Sequence, residues 1–163
     1  MSIKYIILHH TGGSYKPNEI DLKSYQLLID GEGNSHKGAK KTSSTGGMNS
    51  ITYNIAVCCH FGYKSPELQG NYPLTHVQFE AMCKKSAEAC KCFNVPIENV
   101  YTHYEIGQMC RSQEILKLTT WNKWLISNMS KIDLNYLNFK PDIKTDEVGD
   151  YIRNKINWYY KEL

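Results

Sequence analysis

The chain has 163 residues, 41% of them hydrophobic, with nineteen basic against sixteen acidic side chains and a formal net charge of +3. That length fits one domain burying roughly two thirds of the surface its unfolded form would expose, so folding needs no disulfide staple. Five prolines and eleven glycines are ordinary globular values that exclude fibrous and disordered classes, and the dispersed charge offers no Lys/Arg block of the kind that binds nucleic acid.

The first element is Ile3 to Leu8, a continuous β-branched run that predicts a buried strand and delivers His9 and His10 into the turn Thr11 to Ser14. A short helix is expected from Pro17 to Leu22, then a strand from Tyr25 to Asp30 ending at Asp-Gly and Glu-Gly turn signals. Ser35 to Ser50 has no periodicity and reads as a long surface loop, of which Lys37 to Lys41 is the densest basic stretch. Tyr53 to Phe61 is the best central strand, followed by a loop containing Pro66 and Gly70. Thr75 and Gln78 have capping-box spacing, and Phe79, Met82, Ala89 and Phe93 give the next helix its apolar face.

Asn99 to Thr102 reads as a strand entering a loop from His103 to Cys110, and Ile115 to Met129 as a helix carrying Trp121 and Trp124. A final helix is capped by Thr145 and buries Val148, Ile152, Ile156 and Tyr159. This alternation predicts an α/β fold: a single domain with a central mixed β-sheet flanked by helices. Residues 1–130 are the expected catalytic domain and 131–163 a C-terminal helical extension packed on it.

Six cysteines, at 58, 59, 83, 90, 92 and 110, lack the spacing of a small secreted scaffold, and five are expected as reduced, mostly buried thiols. The apolar part of MSIKYIILHHTGG is too short for a signal peptide, and no run approaches the roughly 20 residues of a membrane span. Synthesis in the cytoplasm without a signal peptide is the expectation. A catalytic zinc takes three protein ligands and keeps one position open, and His9, His103 and Cys110 supply that number. His10 is the rival to His9, because neighbours on a strand face opposite ways.

Five segments occur in an order with a known counterpart: YIILHHT, SYQLLIDGEGN, NIAVCCHFG, YPLTHVQFEAM and VYTHYEIGQMC. Over roughly residues 3 to 126 the chain resembles the zinc-dependent type 2 N-acetylmuramoyl-L-alanine amidases, the family of short phage endolysins and peptidoglycan recognition proteins. The resemblance implies Zn2+ held by His9, His103 and Cys110, with His10 turned away. It places Tyr25 on the tyrosine that faces the metal, and Gln108 where the family carries a lysine or threonine that stabilises the oxyanion. Ser44-Thr45-Gly46-Gly47 stands where His-Ala-Gly-Gly is usual, so Ser44, Thr45 and Asn49 are the expected substrate-binding residues. The interval from His103 to Cys110 is seven residues where eight is expected, and Cys58 occupies a position that carries a glutamate base in some branches.

The implied reaction is hydrolysis of the amide joining N-acetylmuramic acid to L-alanine in peptidoglycan, by a monomeric endolysin-type bacteriolytic enzyme acting on the wall after release or dedicated export. The alternatives are a non-catalytic peptidoglycan-binding module and a cytosolic amidase recycling muropeptides. His36, His60 and His76 fall on no ligand position, and Trp121, Trp124 and Trp158 are expected to pack, with sugar stacking as the alternative. Tyr63 and Tyr72 flank a loop that either lines the cleft or packs.

Overall fold

The computed structural model describes residues 2–60 and 70–163, so Phe61, Tyr63 and Pro66 lie outside the described residues. In chain order the elements are β1 (Tyr5–His10), α1 (Glu19–Ser24), β2 (Leu27–Ile29), β3 (Ser35–Lys37), β4 (Thr52–Val57), α2 (His76–Phe93), β5 (Val100–Thr102), α3 (His103–Ser112) and α4 (Val148–Glu162). They form a five-stranded sheet in the order β3-β2-β4-β1-β5, in which β2, β4, β1 and β5 run parallel and β3 antiparallel to β2. This is the expected single domain, a mixed sheet flanked by helices.

Side-chain alternation along β1 decides which face carries chemistry. Ile6 and Leu8 join Ile55 and Val57 of β4 in the larger apolar cluster, with Phe79, Met82 and Cys83 of α2 and Val148, Ile152 and Ile156 of α4. Tyr5 and Ile7 point the other way, into a smaller cluster with Ile106 and Cys110 of α3 and Ile115 and Leu125 beyond it. His9 continues the Tyr5 and Ile7 series and therefore emerges on the α3 face at the carboxyl end of β1. The stripe of α4 lies in the same core as α2, and Arg153 of α4 forks onto Glu105 at 2.8 and 2.9 Å while donating to the Val100 carbonyl at 2.9 Å. That fork ties the C-terminal helix to the β5–α3 corner.

Three segments differ from the sequence expectation. The stretch from His103 to Cys110 is the helix α3 and not a loop. Thr102 accepts from the Glu105 N–H and Glu105 accepts from the Thr102 N–H, a capping box that starts a helix, and no proline follows to stop it. The expected helix from Ile115 to Met129 is two 3-10 turns, Glu114–Lys117 and Lys123–Asn128, the second started by the Asn122 side chain accepting from Trp124 N–H. Trp121 and Trp124 are consequently exposed, as is Trp158 on α4, where packing was expected. Finally, β3 lies inside the expected loop from Ser35 to Ser50.

Asp30 builds the β2–β3 turn. Its buried carboxylate accepts from Glu32 N–H at 2.9 Å, Asn34 N–H at 3.0 Å, His36 Nε2 at 2.8 Å and Lys16 Nζ at 3.3 Å. Burial alone would raise its pKa, but the hydrogen bonds from His36, Asn34, Glu32 and Lys16 outweigh burial and hold it well below the usual carboxylate range. Asp30→Ala is expected to cost about 2–4 kcal/mol in a denaturant titration at pH 7, since it strands several charge-assisted donors. A carboxyl with a depressed folded pKa stabilises fully above about pH 4, where the unfolded chain is ionised too, and loses that contribution as pH falls towards the folded value. The gap between wild type and variant should therefore narrow below about pH 4.

Candidate metal centre and active site

His9 is the next-to-last residue of β1 and His103 opens α3 directly after β5, the strand paired beside β1, so two parallel strands deliver both imidazoles to one edge of the sheet. Both are buried, with Nδ1 atoms 3.1 Å apart. Each ring has its other nitrogen anchored: His9 Nε2 lies 2.8 Å from Asn54 Oδ1, and His103 Nε2 lies 2.7 Å from Asn128 Oδ1. The Asn128 amide is oriented by its own Nδ2, which donates to the carbonyls of Gly46 at 2.9 Å and Leu125 at 3.1 Å. Its Oδ1 must then accept from His103, which assigns the proton to Nε2 and leaves the Nδ1 lone pair facing inward. Asn54 is turned the same way, its Nδ2 donating to Thr42 and its Oδ1 accepting from Thr45 Oγ1 at 2.7 Å and from His9.

The third group is Asp133, whose Oδ2 lies 3.6 Å from His9 Nδ1 and 3.7 Å from His103 Nδ1. Among the described residues, these three side chains form the one group able to hold a metal ion. Asp133 is set by two backbone contacts, its Oδ2 accepting from His10 N–H and its carbonyl from Tyr104 N–H, both at 3.3 Å. The next residue, Leu134, has a left-handed φ of 62° and buries its side chain in the larger apolar cluster. A non-glycine residue there costs roughly 1–2 kcal/mol, which burial of the leucine offsets. That turn sends Asp133 into the site and Leu134 into the core.

The donor set fits zinc. Ligands about 2.1 Å from a tetrahedral centre stand about 3.4 Å from one another, close to the separations of 3.1, 3.6 and 3.7 Å. Two inward lone pairs and a carboxylate facing one another suit a cation between them, and the asparagines are the outer partners that ligating histidines require. Burial pulls the His9 imidazole below its ordinary pKa and so keeps it neutral.

Cys110 is not brought to this cluster. It lies seven residues beyond His103 on one continuous helix, a rise of about 10 Å, which is too far for both to share an ion. It sits with Ile106, Ile115 and Leu125 in the smaller core, where burial pushes its thiol up against a hydrogen bond with Asn128. The third group beside the two histidines is Asp133 and not Cys110. Gln108 is exposed on α3 and does not line the cavity, so it is not placed to stabilise an oxyanion.

The cluster opens into a polar cavity of about 440 Å3 whose walls include Tyr25, Ser43, Ser44, Gly46 and Lys131. The Tyr25 ring lies 5.0 Å from that of His9, and burial, with the nearby Asp133, pushes its phenol far up, so it stays protonated. Ser44 lines the wall, whereas Thr45 is buried beneath it, holding Asn54, and Asn49 caps the loop by accepting from Thr45 N–H at 2.9 Å. Of the three expected substrate residues, only Ser44 faces the cavity. His10 is among the residues that line the same cavity, and its backbone N–H donates to Asp133. Gly107 lets α3 approach the 128–131 segment, since a Cβ there would stand 2.4 Å from the Asn128 carbonyl.

Fold and site together define an α/β protein with a metal-competent cavity at the carboxyl ends of parallel strands, the place where such sheets bind ligands. Residues 1–114 match the N-acetylmuramoyl-L-alanine amidase family. The chain belongs to that family, and N-acetylmuramoyl-L-alanine amidase is its enzyme class. Among solved structures, it is similar to Staphylococcus aureus hydrolase AmiA in complex with its ligand, at 15% identity and a TM-score of 0.58 over 98% of this chain and 73% of that one. It is also similar to the Ph2119 endolysin from Thermus scotoductus MAT2119 bacteriophage Ph2119, at 18% identity and a TM-score of 0.50 over 64% and 73% of the two chains. At these identities the likeness is one of fold. No curated protein matches the chain.

Asp133, Asn54 and Asn128 were not legible as site residues. Asp133 stands in a polar connection thirty residues after His103, beyond the segments that carry the family resemblance, and no spacing rule links it to either histidine.

Proposed function

We propose that this chain is a zinc-dependent amidase hydrolysing the bond between the lactyl group of N-acetylmuramic acid and L-alanine of the stem peptide, in an endolysin-type role on the bacterial wall. The observation that carries the reading is the convergence of His9 Nδ1, His103 Nδ1 and Asp133 Oδ2 on one point of an open polar cavity. Zinc, when bound by these three, supplies Lewis-acid polarisation and lowers the pKa of water towards 7. The chain's residues do the rest. Asn54 and Asn128 hold both imidazoles in the ligating tautomer, and Asp133 brings the negative charge that favours a divalent cation.

In the reaction a water oxygen bonds to the lactyl carbonyl carbon, the C–N bond breaks, and the amino group of L-alanine departs with a proton. Tyr25 is the protonated phenol at the metal-facing wall and donates to the carbonyl oxygen as charge develops on it. Loss of one such donor costs about 2.7–4 kcal/mol, so Tyr25→Phe is expected to lower kcat about 100- to 1000-fold with zinc content unchanged. Stopped muropeptide digests of both proteins, with metal analysis, check this.

The function itself is tested by incubating zinc-loaded and metal-stripped protein with muropeptides and intact sacculi, and looking by mass spectrometry for stem peptides with a free L-alanine terminus. Full activity after metal removal would sink the zinc reading. Cleavage of soluble anhydro-muropeptides without attack on sacculi would replace the lytic role with recycling.

A further inference from the structure

His103 projects from a corner that the sheet supports weakly. β5, which delivers it, is an edge strand of three residues, Val100–Thr102, paired among the described residues only to β1. A metal site needs its ligand atoms held to within about 0.5 Å, and so short an edge requires cover from outside the sheet. That cover comes from α4. Arg153 donates through Nη1 to the Val100 carbonyl at 2.9 Å and to Glu105 Oε1 at 2.8 Å, and through Nη2 to Glu105 Oε2 at 2.9 Å. Its guanidinium carbon stands 5.9 Å from the centroid of the Tyr101 ring. One side chain thus grips the chain on both sides of His103.

Glu105 passes the restraint to the histidine. Its Oε1 accepts from Thr102 N–H at 3.0 Å while its own N–H donates to Thr102 Oγ1 at 3.1 Å, so the capping box closes around His103. The Arg153 fork fixes the plane of that same carboxylate, as bidentate pairing does. Only 19% of the Arg153 side chain and 25% of the Glu105 side chain are open to solvent, which favours one geometry over a loose surface pair. Gly149, in the first turn of α4, permits the approach, since a Cβ there would stand 2.3 Å from Glu105 Oε2. The residue between His103 and Glu105 extends the restraint: Tyr104 N–H donates to the Asp133 carbonyl at 3.3 Å. The first turn of α3 therefore bears on two of the three groups that face the metal position.

We propose that Arg153 is a positioning residue of the metal centre, which acts through Glu105 to hold His103, and through Tyr104 to hold Asp133, at the ligating separation. The proposal rests on the metal reading of the site. It gives α4, which lies beyond the family-matched residues 1–114, a part in building a centre whose two histidines lie within them.

The test uses the full chain. Arg153→Met keeps the apolar stem and removes the fork. It is expected to weaken zinc binding about tenfold in competition with a chelator, the low end of the range for an outer partner, and to shift the His103 ring nitrogen resonances of the metal-free protein. Arg153→Lys, with the charge but not the fork, should lie between Arg153→Met and wild type. Glu105→Gln keeps the capping box and loses the ion pair, so it should weaken zinc binding to a similar extent, and the double variant should be no worse than either single one. Tyr159→Phe is the control: it releases α4 from Glu80 of α2, away from this corner, and should lower the unfolding temperature with zinc affinity unchanged. Unaltered zinc affinity in folded Arg153→Met, or an equal loss in Tyr159→Phe, overturns the positioning role. Should Arg153→Met not fold, Glu105→Gln decides, and wild-type zinc affinity there overturns it as well. A wild type that takes up no zinc refutes the metal reading, and the His103 resonances then decide alone: a shift in Arg153→Met upholds the brace, and none overturns it.

Discussion

Asp133→Ala should leave a folded protein that no longer retains zinc through gel filtration and has no measurable amidase activity. Removing the carboxylate deletes one of the three candidate ligand atoms and the formal negative charge of the set, leaving two imidazoles. Loss of an outer partner alone typically weakens metal binding 10- to 100-fold, so loss of a ligand should exceed about 100-fold. Asp133→Asn, which keeps the shape and discards the charge, should behave nearly as badly. Cys110→Ala gives the opposite pattern: zinc stays, activity stays within a few-fold, and the cost is about 1–2 kcal/mol of stability from a small hole in the apolar cluster. Metal analysis of the two variants side by side separates the sets, and a Cys110→Ala protein stripped of zinc would refute the assignment to Asp133.

A second large effect is expected at Asn128, which holds the His103 ring. Asn128→Leu removes the acceptor that fixes the His103 tautomer and the donor to the carbonyls of Gly46, partly buried, and Leu125, buried. The freed His103 ring can place its proton on Nδ1, the nitrogen that faces Asp133, and metal affinity should fall about 10- to 100-fold. Stranding buried carbonyls adds about 2–3 kcal/mol of lost stability. Competition with a chelator of known affinity and a urea titration read the two consequences independently. A variant that bound zinc as tightly as wild type would show that the histidine is oriented by packing alone.

Both predictions concern residues whose roles are invisible along the chain, and the reason lies in how each signal is encoded. The β1 run and the His9 terminus are local: six residues of alternating environment suffice to place one imidazole at a strand end. The Thr75 and Gln78 box and the α4 stripe are local as well, and both helices form, although α4 begins at Val148 after a 3-10 turn and lacks the side-chain cap expected of Thr145. The same kind of signal stands at Thr102 and Glu105. A capping box with no proline behind it makes a helix, and that helix carries Cys110 away from the histidines into the core.

His9 as a site residue, the sheet that presents it and the amidase family follow from short-range pattern, because burial and hydrogen bonding repeat with the period of the backbone. Only the tertiary structure could supply Asp133, Asn54 and Asn128, since their partners are 124, 45 and 25 residues away along the chain for the His9–Asp133, His9–Asn54 and His103–Asn128 pairs. Closing those loops takes the whole core: Leu134 buried on one side of a left-handed turn, and Arg153 tying α4 to the corner from which His103 projects. A third ligand can therefore come from any part of the chain that the core brings to the strand ends.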